Sequence, residues 1–264
     1  MNPSTSEKHS FELHYSLDAD RVQSFEEMLG REGYSIEPGD KLAPCRHWLI
    51  RPESEELKKI FSNLKAPGTL YWSSGSISFE NPVYLGDSCK ESVSLNISSE
   101  DGRKDGTQVI QVERLITCRG KPAIRESQTI LRSENAADLE KPRKIEFSPD
   151  WEQKVESDQL KTFRQLRGSM AGADVFDFLS QENISNDALT VYGSPALLLL
   201  LESFDYHFSS RIVDRVHYQA HSFSPDTEIS IAGEDSDAFV TSLRIVNSRR
   251  KVLFGADIRW SYNW

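Results

Sequence analysis

The sequence predicts an α+β protein made of two related halves, each a helical segment followed by antiparallel strands. Two observations predict this class. Apolar residues first recur at helical spacing and then alternate at the period of a strand, and that order occurs twice along the chain. A charged stretch with little periodicity, containing Pro142 and Pro149, separates the two occurrences. We therefore expect an N-terminal half over 1–135, a linker over 136–160 and a C-terminal half over 161–264.

The N-terminal half contains both patterns. Apolar residues at intervals of three and four predict helices over 17–34 and over 54–64. The brief apolar run Trp48–Pro52 between them predicts a short strand. From Trp72 onward the period changes to two, and clusters of turn residues separate the segments. This pattern predicts antiparallel strands over 76–80, 92–97, 109–117 and 123–131, with a hairpin loop over 99–107.

The C-terminal half is predicted to begin with one long helix over 189–208. Its apolar run Pro195–Leu201 leaves no polar face, and a helix that is apolar all round must be enclosed by other elements. The alternating segments that follow predict strands over 212–218, 228–232, 239–246 and 252–260. One sheet wrapped around one central helix satisfies this pattern, and two such units side by side would form one continuous sheet.

The charge balance argues against nucleic acid and anionic membranes as partners. The net charge is −10, from 31 Lys and Arg against 41 Asp and Glu, and no cationic cluster is longer than Ser248–Lys251. The longest apolar run, Pro195–Leu201, is far shorter than the roughly 20 residues of a membrane span. The N-terminal segment lacks the apolar stretch of a secretory signal. We therefore expect a cytoplasmic protein.

The sequence predicts no metal, no disulfide framework and no cofactor. Cys45, Cys89 and Cys118 are far apart and form no Cys-x-x-Cys pair. His217 and His221 lie on a predicted strand and lack a third ligand at a suitable spacing. A Gly-rich phosphate loop, a nicotinamide fingerprint and the Gly-x-Ser-x-Gly elbow of serine hydrolases are all missing from the sequence.

Several segments, taken together in their order and spacing, carry a resemblance to a known family. They are Arg46–Leu49, Trp72–Asp87, Glu126–Arg132, Val191–Pro195, and Val216–Ala220 with Glu228–Gly233. They resemble the MaoC-type hydratases and dehydratases, in particular hydroxyacyl-thioester dehydratases and mesaconyl-CoA hydratase-like proteins. The resemblance implies an α+β double hotdog, in which two helix-plus-antiparallel-sheet units form one extended sheet. It also implies addition or removal of water across the α,β bond of an acyl thioester.

The resemblance places that chemistry in a segment that corresponds to 163–177, and here the catalytic histidine motif is degenerate. The family's two histidines fall on Gly172 and Val175, and a nearby histidine at the start of the central helix falls on Tyr192. The family's aspartate is kept as Asp177. Without its histidines the chain cannot use the family's usual acid and base, so the reaction is expected to be changed or lost.

The expected catalytic residues are Asp174, Asp177 and Tyr192. Two carboxylates three residues apart share a face of a helical turn and can serve as acid and base, although a capping pair for the next helix has the same pattern. Tyr192 could donate a hydrogen bond to a substrate carbonyl, or pack as a core residue. Gly193 and Ser194 are expected either to bind an oxyanion or to cap the helix.

His47, Trp48, Trp72 and Arg164 are the expected substrate-binding residues, with burial in the core or, for the arginine, solvation as the alternatives. The expected function is that of a dehydratase-derived enzyme acting on a polyketide- or acyl-derived substrate between the halves. Dehydration, isomerisation and pocket-assisted cyclisation are all open. Two alternatives remain: a non-catalytic acyl-binding or partner subunit, and a conventional acyl-thioester hydratase with a carboxylate replacing histidine. A homodimer is one open arrangement.

Overall fold

The computed structural model describes residues 6–28, 35–50, 52, 54–63, 69–99, 108–133, 149–155, 194–221 and 228–262. Within them the helices are α1 (Ala19–Met28), α2 (His47–Ile50), α3 (Glu55–Ser62) and α4 (Ser194–His207). The strands of the first half are β1 (Glu7–Ser16), β2 (Thr69–Phe79), β3 (Ser88–Ser99), β4 (Gln108–Cys118) and β5 (Lys121–Ser133). Those of the second half are β6 (Trp151–Lys154), β7 (Arg211–Ala220), β8 (Ile229–Asp237), β9 (Val240–Asn247) and β10 (Val252–Tyr262).

All ten strands form one antiparallel sheet in the order β1-β3-β4-β5-β2-β7-β10-β9-β8-β6. Counted from each edge toward the middle, the first half contributes β1-β3-β4-β5-β2 and the second half β6-β8-β9-β10-β7. The two halves therefore have the same topology, and they meet through β2 and β7. The joining ladder pairs Ser74–Ser78 with Arg215–Gln219. This confirms the predicted α+β fold of two units in one extended sheet.

The central helix of the second half is buried, as the sequence predicts. Its residues Ala196–Leu201 are at most 5% exposed, and they pack into a core that both halves share. A helix with apolar residues on every side gains most by being enclosed, because each buried aliphatic side chain contributes about 2 kcal/mol. None of the described helices is both long enough and apolar enough to cross a membrane.

Three local expectations are corrected. Trp48–Ile50 belongs to helix α2 rather than to a strand, and all four residues of α2 are buried, so no polar position reveals the helical period. Strand β1 was not expected, although Phe11, Leu13 and Tyr15 alternate with exposed residues. Within the predicted linker over 136–160, Trp151–Lys154 forms an edge strand that pairs with β8.

The sequence also gave no indication of a disulfide, and the structure contains one. Cys89 and Cys118 lie opposite each other on β3 and β4, and their sulfur atoms are bonded. The two cysteines are 29 positions apart, which is no recognisable spacing motif, but the strand register brings their Cα atoms within 4.5 Å. Cys45 is the remaining cysteine, and it is buried.

Candidate functional site

The structure places only some of the expected site residues. Asp174, Asp177, Tyr192, Arg164 and Gly193 lie outside the described residues, so their roles stay predictions. The other four expected residues are described. Ser194 is the first residue of α4. His47, Trp48 and Trp72 are 1%, 2% and 0% exposed, so they contribute to the core rather than to an open surface.

A short turn connects α4 to β7. Residues 208–210 separate the two elements, and the amide of Arg211 donates to the carbonyl of Phe208. The C-terminal end of α4 therefore lies close to the start of β7. Ser194 is at the opposite end of the helix, about 20 Å from this turn.

Aromatic side chains from both halves meet on the core side of the β2–β7 junction. The ring of Trp72, on β2, stacks on that of Tyr218, on β7, with centroids 4.8 Å apart. Tyr218 in turn stacks on Phe254 of β10 at 6.0 Å. Trp48 of α2 meets Trp72 edge-on at 6.0 Å. We call Trp72, Tyr218 and Phe254 the junction wall, since it joins the two halves with one continuous aromatic surface.

Gly75 allows the junction wall to form. It lies directly between Gln128 on β5 and Tyr218 on β7 in the strand register. A Cβ atom at this position would be 2.2 Å from the hydroxyl of Tyr218 and 2.3 Å from the carbonyl oxygen of Ser127. Any side chain is therefore excluded while Tyr218 lies across β2. This close approach explains the glycine that follows Trp72 by three residues.

Gln128 is a buried polar residue beside that glycine. Its side chain is on the core side of β5 and the residue is 3% exposed. Its Oε1 accepts no hydrogen bond from the described part of the chain. Sequence reasoning did not select Gln128 or Tyr218 as site residues. Both belong to segments that carry the family resemblance, Glu126–Arg132 and Val216–Ala220, and that position was the available signal.

His47 belongs to a buried ionic network in the N-terminal half. Its Nε2 lies 2.5 Å from Oε1 of Glu126, and the indole Nε1 of Trp48 donates to the same oxygen at 2.5 Å. Arg114 lies on the neighbouring strand, with its Nε 3.8 Å from the other oxygen of Glu126. His47 and Trp48 therefore hold a carboxylate inside the core. Through Trp48, which meets Trp72 edge-on, they pack against the junction wall.

The same network continues toward the edge of the sheet. Arg114 donates to Glu91 at 2.8 Å, and the hydroxyl of Tyr15 donates to the second oxygen of that carboxylate at 3.0 Å. Glu91, Arg114 and Glu126 are at most 3% exposed. Buried charges of this kind are retained only where each has an opposite charge and hydrogen bonds. The network thus fixes the orientation of His47 by a chain of contacts over four strands.

Two cavities of about 320 Å³ each lie at the other end of α4, away from Ser194. They share one wall, Lys41–Pro44, together with Asp205 and Val213. The first cavity extends toward α1, and the second extends between Phe79–Val83 of the N-terminal half and Arg211–Asp214 of the C-terminal half. Sequence reasoning did not predict them, because the segments that line them are distant in the sequence and share no motif.

Arg46 closes the first cavity by connecting the two halves. Its Nε donates to Glu26 of α1 at 3.0 Å, and its Nη2 donates to Glu202 of α4. The guanidinium also lies over the ring of Phe25, 4.2 Å from the centroid. With a side chain 4% exposed, Arg46 is a buried cation between two carboxylates. This ion triad attaches α1 of the first half to α4 of the second.

Arg211 lines the second cavity but is already engaged. Its two terminal nitrogens donate to the two oxygens of Asp235, each at 2.8 Å, and its guanidinium lies 3.8 Å over the ring of Trp260. The hydrogen bond from Arg211 lowers the pKa of the Asp235 carboxyl, although partial burial opposes the shift. Among the described residues no group of three or more His, Cys, Asp or Glu is placed to hold a metal ion.

The whole described structure is similar to solved structures of MaoC-like dehydratases. A MaoC-like dehydratase from Phytophthora capsici gives a TM-score of 0.65 at 9% identity, covering 98% of this chain and 97% of that one. HtdX of Mycobacterium tuberculosis gives 0.62 at 10% identity, covering 95% of this chain and 99% of that one. This chain is a double hotdog. No family model matches its sequence, and no curated protein does either.

A third similar solved structure is that of a longer protein. The peroxisomal multifunctional enzyme type 2 of Drosophila melanogaster gives a TM-score of 0.52 at 10% identity, covering 97% of this chain and 48% of that one. At these identities the comparisons establish the double-hotdog fold. The chemistry of this double hotdog has to be argued from its own residues.

Proposed function

We propose that this double hotdog is an enzyme of dehydratase ancestry that acts on an acyl- or polyketide-derived substrate bound between its halves. The observation that carries the proposal is the junction wall. Trp72 comes from one half and Tyr218 and Phe254 from the other, and all three are at most 3% exposed. Small-molecule sites are typically clefts lined by apolar and aromatic side chains with a few polar groups, and they often lie where two units join.

The proposed chemistry is placed at the start of α4. Asp177 and Asp174 would supply the base that removes a proton from the carbon next to the carbonyl, and the acid that protonates a departing hydroxyl. Tyr192, Gly193 and Ser194 would donate hydrogen bonds to the carbonyl oxygen as it gains charge. The N-terminal end of α4 favours that negative charge. The same groups would serve dehydration, isomerisation or a cyclisation that the shaped pocket assists.

The expected substrate-binding residues divide into two roles in this proposal. Trp72 contacts the substrate as part of the junction wall, whereas His47 and Trp48 position that wall through Glu126. Arg164 is proposed to meet a carboxylate or phosphate of the substrate.

The test is turnover of α,β-unsaturated and 3-hydroxyacyl thioesters, on coenzyme A and on N-acetylcysteamine, followed by mass spectrometry. We expect the gain or loss of one water, or an isomer of unchanged mass, and a loss of at least about 100-fold in rate in Asp177→Asn. Tyr192→Phe should lower the rate by about 10- to 100-fold. Asp205→Asn, at the exposed other end of α4, is the matched control and should leave the rate unchanged.

One sequence observation favours a second function, the non-catalytic binding of acyl chains. The positions that correspond to the family's histidines are Gly172, Val175 and Tyr192, and none of these can act as an imidazole base. Binding of a thioester without turnover of any tested thioester or free polyketide would support this function. Water addition that disappears in Asp177→Asn would instead support a conventional hydratase in which a carboxylate replaces histidine.

A further inference from the structure

Strand β1 forms one edge of the sheet and has an open outer side. It pairs with β3 over Glu7–Ser16 without a register shift, and its outer side pairs with no strand of the described part of the chain. The other edge is the four-residue β6, which begins shortly after Pro149. Short edge strands and prolines are common protections against pairing with another chain. Because β1 has ten residues and contains no proline, glycine or bulge, it is the better template for a further strand.

Backbone hydrogen bonds show which residues of β1 face the open side. The amide of Leu17, just after the strand, donates to the carbonyl of Asp87, and its carbonyl accepts from Gly86. Backbone groups alternate between the two sides of a strand, so the odd-numbered residues of β1 are bonded to β3. The Cα atoms of Cys89 and Cys118 are 4.5 Å apart, the spacing of a pair without hydrogen bonds, so Cys89 also directs its backbone groups toward β1. The even-numbered residues therefore present their amides and carbonyls at the open edge: Lys8, Ser10, Glu12 and His14.

The side chains of β1 form one polar face and one apolar face. The even-numbered residues lie on the solvent side of the sheet and are exposed. Phe11, Leu13 and Tyr15 lie on the core side, where they are only half-buried, whereas Val93 and Leu95 on the neighbouring β3 are each 2% exposed. Apolar side chains at such an edge gain burial when another strand lies beside them. A strand added to β1 would therefore complete both the backbone ladder and the apolar layer.

The charges along β1 indicate which strand fits. If two copies of β1 pair antiparallel with Ser10 opposite Ser10, Lys8 of each copy lies opposite Glu12 of the other. Opposite charges that face each other across two strands stabilise the pair, and like charges destabilise it. Sliding one copy toward Ser16 by two or four residues instead sets Lys8 opposite His14, or Glu12 opposite its own copy.

Both charged groups are accessible for this contact. Lys8 is exposed and makes no ion pair within the described part of the chain. Glu12 lies 2.7 Å from Lys90 on β3, and its side chain is still 52% exposed. A second cation can therefore approach Glu12 from the open side of β1.

We propose that β1 is the interface of a homodimer, in which two copies of this chain pair antiparallel through this strand. Ser10 lies at the two-fold axis, with a Lys8–Glu12 ion pair on each side of it. The same surface is used by both copies, so the assembly closes as a dimer and leaves no open β1 edge. Because the ladder is short, the dissociation constant is expected to be about 1–100 µM.

The first test measures the monomer–dimer equilibrium of the full chain by sedimentation velocity, from about 1 to 200 µM. We expect the wild type to dimerise with rising concentration. Lys8→Glu and Glu12→Lys should each raise the dissociation constant at least about tenfold, because like charges then face each other. Lys154→Glu makes the same change on the other edge strand, β6, and should leave the constant unchanged. A wild type that stays monomeric over the whole range would overturn the proposal.

Mixing the two charge variants tests the register. The Lys8→Glu chain is acidic at both positions and the Glu12→Lys chain is basic at both, so each opposes itself and complements the other. We expect the equimolar mixture to form a heterodimer, seen by native mass spectrometry, at least about tenfold tighter than either variant alone. The absence of this heterodimer, or single variants that dimerise as strongly as the wild type, would overturn the pairing of Lys8 with Glu12.

Ser10→Pro tests the backbone pairing. The amide of Ser10 faces the open edge, so proline removes no bond to β3 and is compatible with an edge strand. We expect a folded monomer at about 200 µM, whereas Ser10→Ala keeps the amide and should dimerise like the wild type. A folded Ser10→Pro chain that still dimerises would show that the interface lies elsewhere. If the proline unfolds the chain, the charge variants decide the question.

Discussion

At the scale of single residues, Gly75 shows how closely the two halves approach each other. The hydroxyl of Tyr218 and the carbonyl oxygen of Ser127 both occupy the region where a Cβ would project. Substitution by alanine must therefore displace the ring of Tyr218 or spread β2 from β5. Because Tyr218 is stacked on both Trp72 and Phe254, the displacement cannot stay local.

We predict that Gly75→Ala lowers the free energy of unfolding by about 3 kcal/mol, the range of an overpacked core position. Urea denaturation measures the loss, and near-ultraviolet circular dichroism should show a weakened aromatic signal. Ser76→Ala, one residue along β2 and half-buried, is the control and should cost less than about 0.5 kcal/mol. Equal stabilities for the two variants would mean that Tyr218 can leave β2 without cost.

Asp235 offers a residue-scale prediction about pH. The hydrogen bond from Arg211 is the largest cause that lowers its pKa. A carboxyl with a lowered pKa stabilises the folded protein above its unfolded pKa, and this contribution is lost as the pH falls through the folded pKa. We expect the pKa of Asp235, measured by nuclear magnetic resonance titration, to rise toward its ordinary value in Arg211→Gln.

The control for this titration is Arg259→Gln, which removes an exposed cation from β10. The pKa of Asp235 should stay lowered in this variant. A pKa that is unchanged in Arg211→Gln would contradict the assignment of the shift to the bidentate pair. Because the Asp235 side chain is 40% exposed, the accompanying change in stability is expected to be small.

The expected substrate-binding residues show how much of a site can be predicted from sequence motifs. His47, Trp48 and Trp72 were selected through motifs: Trp72 belongs to the junction wall, Trp48 meets Trp72 edge-on, and His47 contacts Trp48. Their role in substrate binding stays a prediction. Burial in the core was the alternative expectation for these residues, whereas the contact of His47 and Trp48 with Glu126 could not be predicted, because Glu126 is distant from both in the sequence. Gln128 was not selected for a related reason. The sequence does not show that a glutamine on a strand is buried, or that its side-chain oxygen accepts no hydrogen bond.

At the scale of elements, the ion triad of Arg46 connects helices that are more than 150 residues apart in the chain. One cation lies between the carboxylates of Glu26 and Glu202, on α1 and α4. Removal of the cation would leave the buried carboxylate of Glu26 and the partly buried carboxylate of Glu202 without their shared partner. The cost of that arrangement greatly exceeds the value of an exposed salt bridge.

We predict that Arg46→Met lowers the free energy of unfolding by about 3–5 kcal/mol, measured by urea denaturation. Adding Glu26→Gln to the same chain should recover part of the loss, because one of the two carboxylates that Arg46 neutralises is removed. A control is Lys41→Met, which changes an exposed cation in the wall of the same cavity. A loss in Arg46→Met no larger than in Lys41→Met would show that the triad does not hold α1 to α4.

Elements with a clear period were the ones that sequence reasoning predicted. Helix α3, the buried part of α4 and the central strands all follow apolar spacing, and each is present. Helix α2 was assigned to a strand because four consecutive buried residues show no period. Strand β6 was assigned to the linker because an edge strand of four residues has too few positions to alternate.

At the scale of the whole molecule, the joining ladder and the shared core couple the two halves. The sheet continues from β5 through β2 and β7 to β10 without an edge between the halves. Apolar residues of both halves belong to a single hydrophobic cluster. Neither half therefore has a complete interior surface without the other.

We predict that the halves unfold together in one cooperative transition. Hydrogen exchange with mass spectrometry along a urea gradient should give the same midpoint for peptides from β3 and β4 as for peptides from β8 and β9. Cooperative unfolding follows because separating β2 from β7 would expose the junction wall to water. Two midpoints, with the C-terminal peptides exchanging first, would show that the halves are independent folding units.

The mirrored strand order has a consequence for how such a protein could evolve. Two copies of one five-stranded ancestor, paired across a two-fold axis, would form a sheet with the strand order β1-β3-β4-β5-β2 followed by the same order reversed. In such a dimer every mutation occurs twice, and both copies must keep the same helix. Fusion into one chain removes that obligation. Among the described residues, the first half has the short α2 and α3 before its joining strand, where the second has the fourteen residues of α4. Duplication would therefore have freed one repeat to diverge while the other kept a long helix.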